Sequence, residues 1–210
     1  MTTLADYYAK RASEYDRIYQ KPERQSDLHA LREFVAQTFA GRSVLEIACG
    51  TGYWTEVLAA TARRVVATDI NEEVLAVART RPLGDKVQLL RWDAFQAEQL
   101  AGDFDAAFAA FWWSHLTRAD LQRFLAGLHA CLQPGSRVVF IDNIFVAGSS
   151  TPLTRRDADG NTYQLRSLDD GSTTEVLKNF PTDEEIASLL PGKNLSIDRL
   201  TYYWCAGYTA

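Results

Sequence analysis

The sequence predicts an α/β fold: a doubly wound, mostly parallel seven-stranded sheet with helices on both faces and an antiparallel strand near the C-terminus. Three observations point there. Short apolar runs of strand length alternate with segments of helical period. Several of these runs are apolar at consecutive positions, which marks strands buried on both faces. The first run breaks into Cys49-Gly50-Thr51-Gly52, a glycine turn at the sheet edge where such folds bind ligands.

The elements run in order along the chain. Asp27 to Ala40 carries Leu28, Leu31, Phe34, Val35 and Phe39 at helical spacing, and Gly41 supplies a stop. Ser43 to Ala48 is the first strand, and Trp54 to Ala62 the helix after the glycine turn. Val65 to Asp69 is the second strand, Glu72 to Arg79 a helix, Val87 to Arg91 the third strand and Phe104 to Phe111 the fourth. Asp120 to Leu132 has Leu121, Phe124, Leu125 and Leu128 on one face, and Pro134-Gly135 ends it before a fifth strand, Arg137 to Asp142. Beyond this the pattern changes. Thr162 to Leu168 and Thr173 to Phe180 flank Asp169-Asp170-Gly171 and read as a hairpin. Thr182, with Glu185 three residues on, opens a helix to Leu190 through a capping box. Leu195 to Tyr208 is strand-like.

Composition narrows the function. A length of 210 residues gives a single domain, with residues 1–25 as a leading segment, 26–145 as the core and 146–210 completing it. The 22 basic residues against 27 acidic ones, net −5, count against nucleic acid as partner, because phosphate binding calls for concentrated positive charge. With 47% hydrophobic and 23% charged residues, disorder is not expected. Cys49, Cys131 and Cys205 are odd in number and far apart, which suits a cytoplasmic chain better than a disulfide framework. No apolar run approaches the roughly 18 residues of a membrane span, and no signal peptide is read at the N-terminus. A monomer or homodimer acting on a small molecule, with no membrane partner, is the expectation. Three histidines and three cysteines share no ligand spacing, so no metal site is predicted. No phosphate-binding P-loop and no G-x-S-x-G elbow is present.

The glycine turn carries the strongest chemical signal. Glycine lets backbone N–H groups meet a ligand closely, since no Cβ blocks the approach. Asp69, seventeen residues after Gly52, ends the second strand, where a carboxylate accepts hydrogen bonds from both hydroxyls of a ribose. The pair marks an adenosine-type ligand. A dinucleotide fingerprint would need G-x-G-x-x-G or A, and both possible frames break, at Tyr53 and at Thr55. A nicotinamide-dependent oxidoreductase is therefore the weaker alternative. A non-catalytic binding protein is a third reading, favoured if Trp112 and Trp113 fill the pocket.

The stretch Glu46-Ile47-Ala48-Cys49-Gly50-Thr51-Gly52 resembles motif I, E/D-x-G-x-G-x-G, of the class I S-adenosylmethionine-dependent methyltransferases, with Ala48 in place of the first glycine. Trp92-Asp93-Ala94, Phe104-Asp105-Ala106-Ala107-Phe108 and Leu132-Gln133-Pro134-Gly135-Ser136 resemble later motifs of the same family, in order over about residues 25 to 145. The resemblance implies an enzyme that uses S-adenosylmethionine and releases S-adenosylhomocysteine. It places Glu46 near the methionine portion, Ala48, Gly50 and Gly52 along the cofactor, Asp69 on the ribose and Asp93 on the adenine amine. Trp92 would stack or pack nearby, with Ile70, Ala94 and Ala110 as cofactor neighbours.

The segment from Asp6 to Tyr19 is too polar to be core, yet holds four tyrosines in thirteen residues, Tyr7 to Tyr19. It resembles the Y-x-x-R-A-x-x-Y-D lead-in of many small-molecule methyltransferases, where it folds over the pocket as a lid. That implies Tyr7, Arg11 or Tyr15 on the methionine carboxylate. Phe111-Trp112-Trp113-Ser114-His115 comes after the fourth strand, at its ligand-binding edge. His115 is the candidate general base, because an imidazole titrates near neutrality. Tyr8, Trp112, Trp113 and Asn143 are candidate acceptor contacts, with Asp142, Tyr202, Tyr203 and Trp204 as further wall residues. His29 and His129 fall within helices and read as structural.

Overall fold

A computed structural model describes residues 7–9, 15–167, 171–190 and 193–210. Its main sheet has β1 (Ser43–Ile47), β2 (Arg64–Asp69), β3 (Val87–Arg91), β4 (Phe104–Ala110), β5 (Leu132–Asn143), β9 (Lys193–Arg199) and β10 (Tyr203–Thr209). They lie in the order β3-β2-β1-β4-β5-β10-β9. The first five pair in parallel. β10 runs antiparallel to both β5 and β9, the reversed strand expected near the C-terminus. Every residue of β1 is buried, whereas the edge strand β9 is largely exposed. That is the contrast between a central strand covered twice and an edge that water can reach.

Alternation along the strands sends side chains to two cores. On one face, Val44, Val65 and Phe108 meet α1 (Gln25–Thr38) and α2 (Tyr53–Thr61) through Leu28, Leu31, Val35, Trp54 and Leu58. On the other, Leu45, Ile47 and Phe140 pack with Phe124, Leu125 and Leu128 of α4 (Arg118–Ala130). α3 (Glu72–Ala78) comes after β2, and α5 (Asp183–Leu189) begins with the expected capping box, Thr182 and Glu185 bonding each other's backbone.

Several expectations change. Leu195 to Tyr208 is not one strand: the chain reverses between Arg199 and Tyr203 and makes the hairpin β9–β10. The hairpin strands β7 (Thr162–Ser167) and β8 (Thr173–Leu177) join β6 (Leu153–Arg156) in a separate antiparallel sheet; residues 168–170 of its turn lie outside the described residues. Pro134-Gly135 does not end α4, which stops at Ala130; it lies inside β5, where the register against β4 shifts. The N-terminal segment is not excluded from the core. Tyr7 is fully buried with Val176, and Tyr19 stacks flat on Tyr53 at 3.7 Å between ring centroids. The tyrosine rings carry apolar area enough to outweigh their polar neighbours in sequence.

Candidate active site

The carboxyl ends of β1, β2, β3 and β4 surround a cavity of about 350 Å³. At its centre the β1 turn is held by the end of β2. The Gly50 N–H donates to Asp69 Oδ2 and the Asn71 N–H to Oδ1, each at 2.9 Å. Each oxygen keeps lone-pair capacity for a further donor, as two ribose hydroxyls require. Burial raises the Asp69 carboxyl above its ordinary value, while those backbone bonds oppose the shift. Ala48 and Gly50 both line the cavity and both have positive φ, 53° and 55°. The strain at Ala48 marks where the family's first glycine would relieve it.

The far wall comes from the end of β3 and the short helical turn after it. Asp93 caps that turn, its Oδ1 accepting from the Phe95 N–H at 2.9 Å, and it lines the cavity with Trp92 and Ala94. The Trp92 indole N–H donates to Gln96 O at 2.9 Å, which fixes its ring. Ile70 and Ala110 line the same space. So does Trp112, whose buried Nε1 has no hydrogen-bond partner. The ring lines the cavity while its Nε1 is closed to solvent and turned into the packing. Asp69, with lone pairs left on both oxygens, and the glycine turn beside it fit a nucleoside-bearing cofactor.

A second cavity of about 440 Å³ adjoins the first and shares Tyr8, Phe111 and His115 with it. Phe111 sits at the junction with φ of 61°, an unusual conformation for a bulky residue. Its N–H donates to Ile141 O at 2.8 Å, which holds the strained turn to β5. His115 is oriented from both sides: Nδ1 lies 2.8 Å from Leu177 O, and Nε2 2.7 Å from the Tyr8 hydroxyl. A carbonyl can only accept, so Nδ1 carries the proton and the Tyr8 hydroxyl donates to Nε2. Burial lowers the His115 pKa well below its ordinary value, and the charges of Lys178 and Arg166 lower it further. The ring is neutral at physiological pH.

Other expected site residues fall elsewhere. Trp113 is 2% exposed and packs against Phe140 and Trp204 in the core, so it is not an acceptor contact; the helical turn after β4 sends it inward and its neighbour Trp112 to the cavity. Trp204 is likewise core. Gly52 does not face the cavity: a Cβ there would meet Ala78 Cβ at 3.0 Å, so its role is close packing of the turn on α3. Glu46 is buried within β1, away from the cavity wall, and burial pushes its carboxyl up to about 8, with Asp69 adding to the shift. Tyr7 lines the second cavity rather than the first. Asn143 and Tyr203 line the second cavity too. Arg11 and the Tyr15 side chain lie outside the described residues. His129 bonds the Tyr208 hydroxyl at 2.6 Å, a structural contact, and His29 is exposed beside Glu33.

Sequence reasoning missed Arg24, Arg166 and Lys178, all of which line the second cavity. Nothing in their local patterns separates them from surface charges. The N-terminal segment also reaches the glycine turn: Asp16 accepts from Thr51 Oγ1 at 2.5 Å and pairs with Arg81, which bonds Glu56 at 2.8 Å. Among the described residues no helix is long and apolar enough to cross a membrane, and no cluster of three or more His, Cys, Asp or Glu is placed to hold a metal.

Strand order, glycine turn and ribose-ready carboxylate define a doubly wound nucleoside-binding protein. The family described as a methyltransferase domain matches residues 44–135. The protein of a DhpI–SAH complex structure is 30% identical, with 97% of this chain and 93% of that one covered and a TM-score of 0.77. A demethylmenaquinone methyltransferase of Clavibacter sepedonicus is 33% identical over 121 residues, 57% of this chain and 47% of that protein. A ubiquinone biosynthesis O-methyltransferase of Xanthomonas axonopodis pv. citri (strain 306) is 28% identical over 183 residues, 83% of this chain and 73% of that protein. This chain belongs to the class I S-adenosylmethionine-dependent methyltransferases. It spans about half the length of several curated relatives that it matches, the Clavibacter protein among them.

Proposed function

We propose that the protein transfers a methyl group from S-adenosylmethionine in the first cavity to a small acceptor in the second, with His115 and Tyr8 handling the acceptor's proton. The single observation that carries this reading is the shared wall, Tyr8, Phe111 and His115, between the two cavities. Asp69 would hold the ribose, Asp93 the adenine edge, and the Trp112 ring would pack against the ligand. When bound, the cofactor supplies a sulfonium methyl that is already electrophilic, so the chain's work is alignment and exclusion of water. Phe111 closes the junction with an apolar ring. The Tyr8 hydroxyl takes the acceptor's proton while passing its own to His115 Nε2, and Leu177 O keeps Nδ1 protonated so that Nε2 stays available. Three free thiols and the acidic chain suit cytoplasmic work on a small molecule, as a monomer or homodimer, with neither nucleic acid nor membrane as partner.

Calorimetry tests the cofactor half. S-adenosylmethionine and S-adenosylhomocysteine should bind and NAD should not. Asp69→Ala should weaken both ligands about 100-fold, the worth of two hydrogen bonds to a charged acceptor. Undiminished binding by Asp69→Ala would remove the ribose assignment.

A further inference from the structure

We propose that Asp142, Ser114 and Lys178 form a positioning device for His115, one that fixes where the ring stands and which of its nitrogens carries the proton. The proposal rests on the methyl-transfer reading, in which His115 receives the acceptor's proton. All three side chains are buried, Asp142 and Ser114 completely and Lys178 to within 4%. They come from three separate places: the end of β5, the helical turn after β4 and the exit of β8.

The three groups bond one another in a closed set. Lys178 Nζ donates to Ser114 Oγ at 2.5 Å and pairs with Asp142 Oδ1 at 3.1 Å. Ser114 Oγ donates to the same Oδ1 at 2.9 Å, and the Ser114 N–H donates to Oδ2 at 2.9 Å. Their places in the chain give this set its reach. Ser114 directly precedes His115, and Lys178 directly follows Leu177, whose carbonyl lies 2.8 Å from His115 Nδ1. The Asn179 N–H adds a bond to Ser114 O at 2.8 Å. The ion pair therefore ties together the two chain segments whose separation sets the Nδ1–Leu177 bond. A buried ion pair adds little stability over an apolar pair of the same volume; its distinctive contribution here is a fixed geometry and a fixed charge.

The charges around the ring come from every element packed on it. Burial is the larger cause that keeps His115 neutral, and Lys178 past β8 and Arg166 of β7 add to it. Arg166 also bonds Gln164 Oε1 at 2.8 Å. From the N-terminal segment, Tyr8 meets Nε2 as a hydroxyl. Asp120 of α4 lines the first cavity and accepts from Thr117 Oγ1 at 2.8 Å. Asp142 is the carboxylate bonded to the turn that carries the ring, and Lys178 is its counter-charge. Burial pulls the Lys178 ammonium down to about 8 while Asp142 opposes the shift, so the cation persists at neutral pH. With the pair intact, Asp142 draws no proton onto His115. Without Lys178, its charge favours the imidazolium.

The test uses the full chain with isotope-labelled histidine nitrogens and reads the imidazoles by long-range proton–nitrogen correlation NMR. The His115 signals are those missing from His115→Asn. In the unaltered protein they should show Nδ1 protonated, Nε2 bare and no titration between about pH 5 and 8. Lys178→Met leaves Asp142 without its cation, so the His115 midpoint should move up into that range, with both nitrogens protonated at its acid end. A pair that served stability alone would lower the thermal midpoint of Lys178→Met and leave these signals as they were. Unchanged His115 signals in folded Lys178→Met overturn the proposal, and so does an unaltered protein with the proton on Nε2. Should Lys178→Met not fold, the double variant Asp142→Asn/Lys178→Met decides, because removing both partners of a buried pair is tolerated. It should show both neutral tautomers at a thermal midpoint near the original; a single Nδ1–H tautomer there overturns the proposal. Calorimetry keeps the two failures apart. If the unaltered protein binds no S-adenosylhomocysteine, the methyl-transfer reading fails, whereas the His115 signals, read without any ligand, fail the positioning role alone.

Discussion

The two cavities share a wall but are built differently. The first is made by the ends of four adjacent parallel strands, where backbone geometry does most of the work: a glycine turn, two N–H groups on Asp69 and a capped turn at Asp93. The second is assembled from distant pieces, Tyr7 and Arg24 before the sheet, Asn143 at the end of β5, and Arg166 and Lys178 from the small sheet and its exit. The difference teaches that binding a common cofactor can be written into local motifs, whereas choosing an acceptor depends on where long-range packing delivers single side chains.

The largest expected effect lies at the shared wall. His115→Asn removes the proton acceptor while leaving the Asp69 and Asp93 contacts alone. Turnover of the acceptor should fall about 10²- to 10⁴-fold, the usual worth of a general base. Affinity for S-adenosylhomocysteine should stay within about twofold, since the ring makes none of the bonds at Asp69, Asp93 or the glycine turn. Tyr8→Phe should fall less, because Nε2 remains. If His115→Asn turns over normally, the acceptor needs no proton removed, and the junction serves alignment alone.

That asymmetry also explains which features were legible in the sequence. The five parallel strands, the reversed strand and the capping box at Thr182 were legible because each rests on contiguous residues and short-range physics. Asp69 and Asp93 were legible because a strand's end places its last side chain at the binding edge. Arg24 was not, since its local context, Lys21-Pro22-Glu23-Arg24-Gln25, reads as exposed and its burial comes from Tyr202, Tyr203 and Ser149. Trp112 and Trp113 were half legible: the pair belongs to the ligand edge, but only the turn decides which ring faces the cavity. The burial of Tyr7 and Tyr19 was hidden for the same reason, their partners Val176 and Tyr53 being remote in sequence.

The tryptophan pair offers the next sharpest contrast. Trp113→Ala should cost about 3–5 kcal/mol of stability, as for other fully buried aromatics, and lower the thermal midpoint without a specific loss of cofactor affinity. Trp112→Ala should do the reverse, weakening S-adenosylhomocysteine binding while unfolding at nearly the original temperature. Chemical denaturation and calorimetry on the two variants read the difference. An exchange of these effects would mean that the cavity is lined by the other ring in solution.

Glu46, buried within β1, carries the smallest effect of the series. Its carboxyl is raised from 4.5 to about 8 by burial, with Asp69 adding to the shift. In that window the folded protein keeps a proton that the unfolded chain has released, so the folded state binds more protons and stability must fall as pH rises. The stability that the neutral carboxyl contributes is complete below about pH 4.5 and is lost as pH rises towards about 8. Between pH 5 and pH 7 the expected loss from this group is about 2–3 kcal/mol. Glu46→Gln keeps the shape and cannot ionise, so its unfolding free energy should change less with pH over the same range. Its affinity for S-adenosylhomocysteine should stay near that of the unaltered protein, because the side chain is buried in β1 and does not line the cavity. A large loss of that affinity in Glu46→Gln, with the pH slope unchanged, would return Glu46 to the ligand and make the wall of the first cavity one residue deeper than its present geometry.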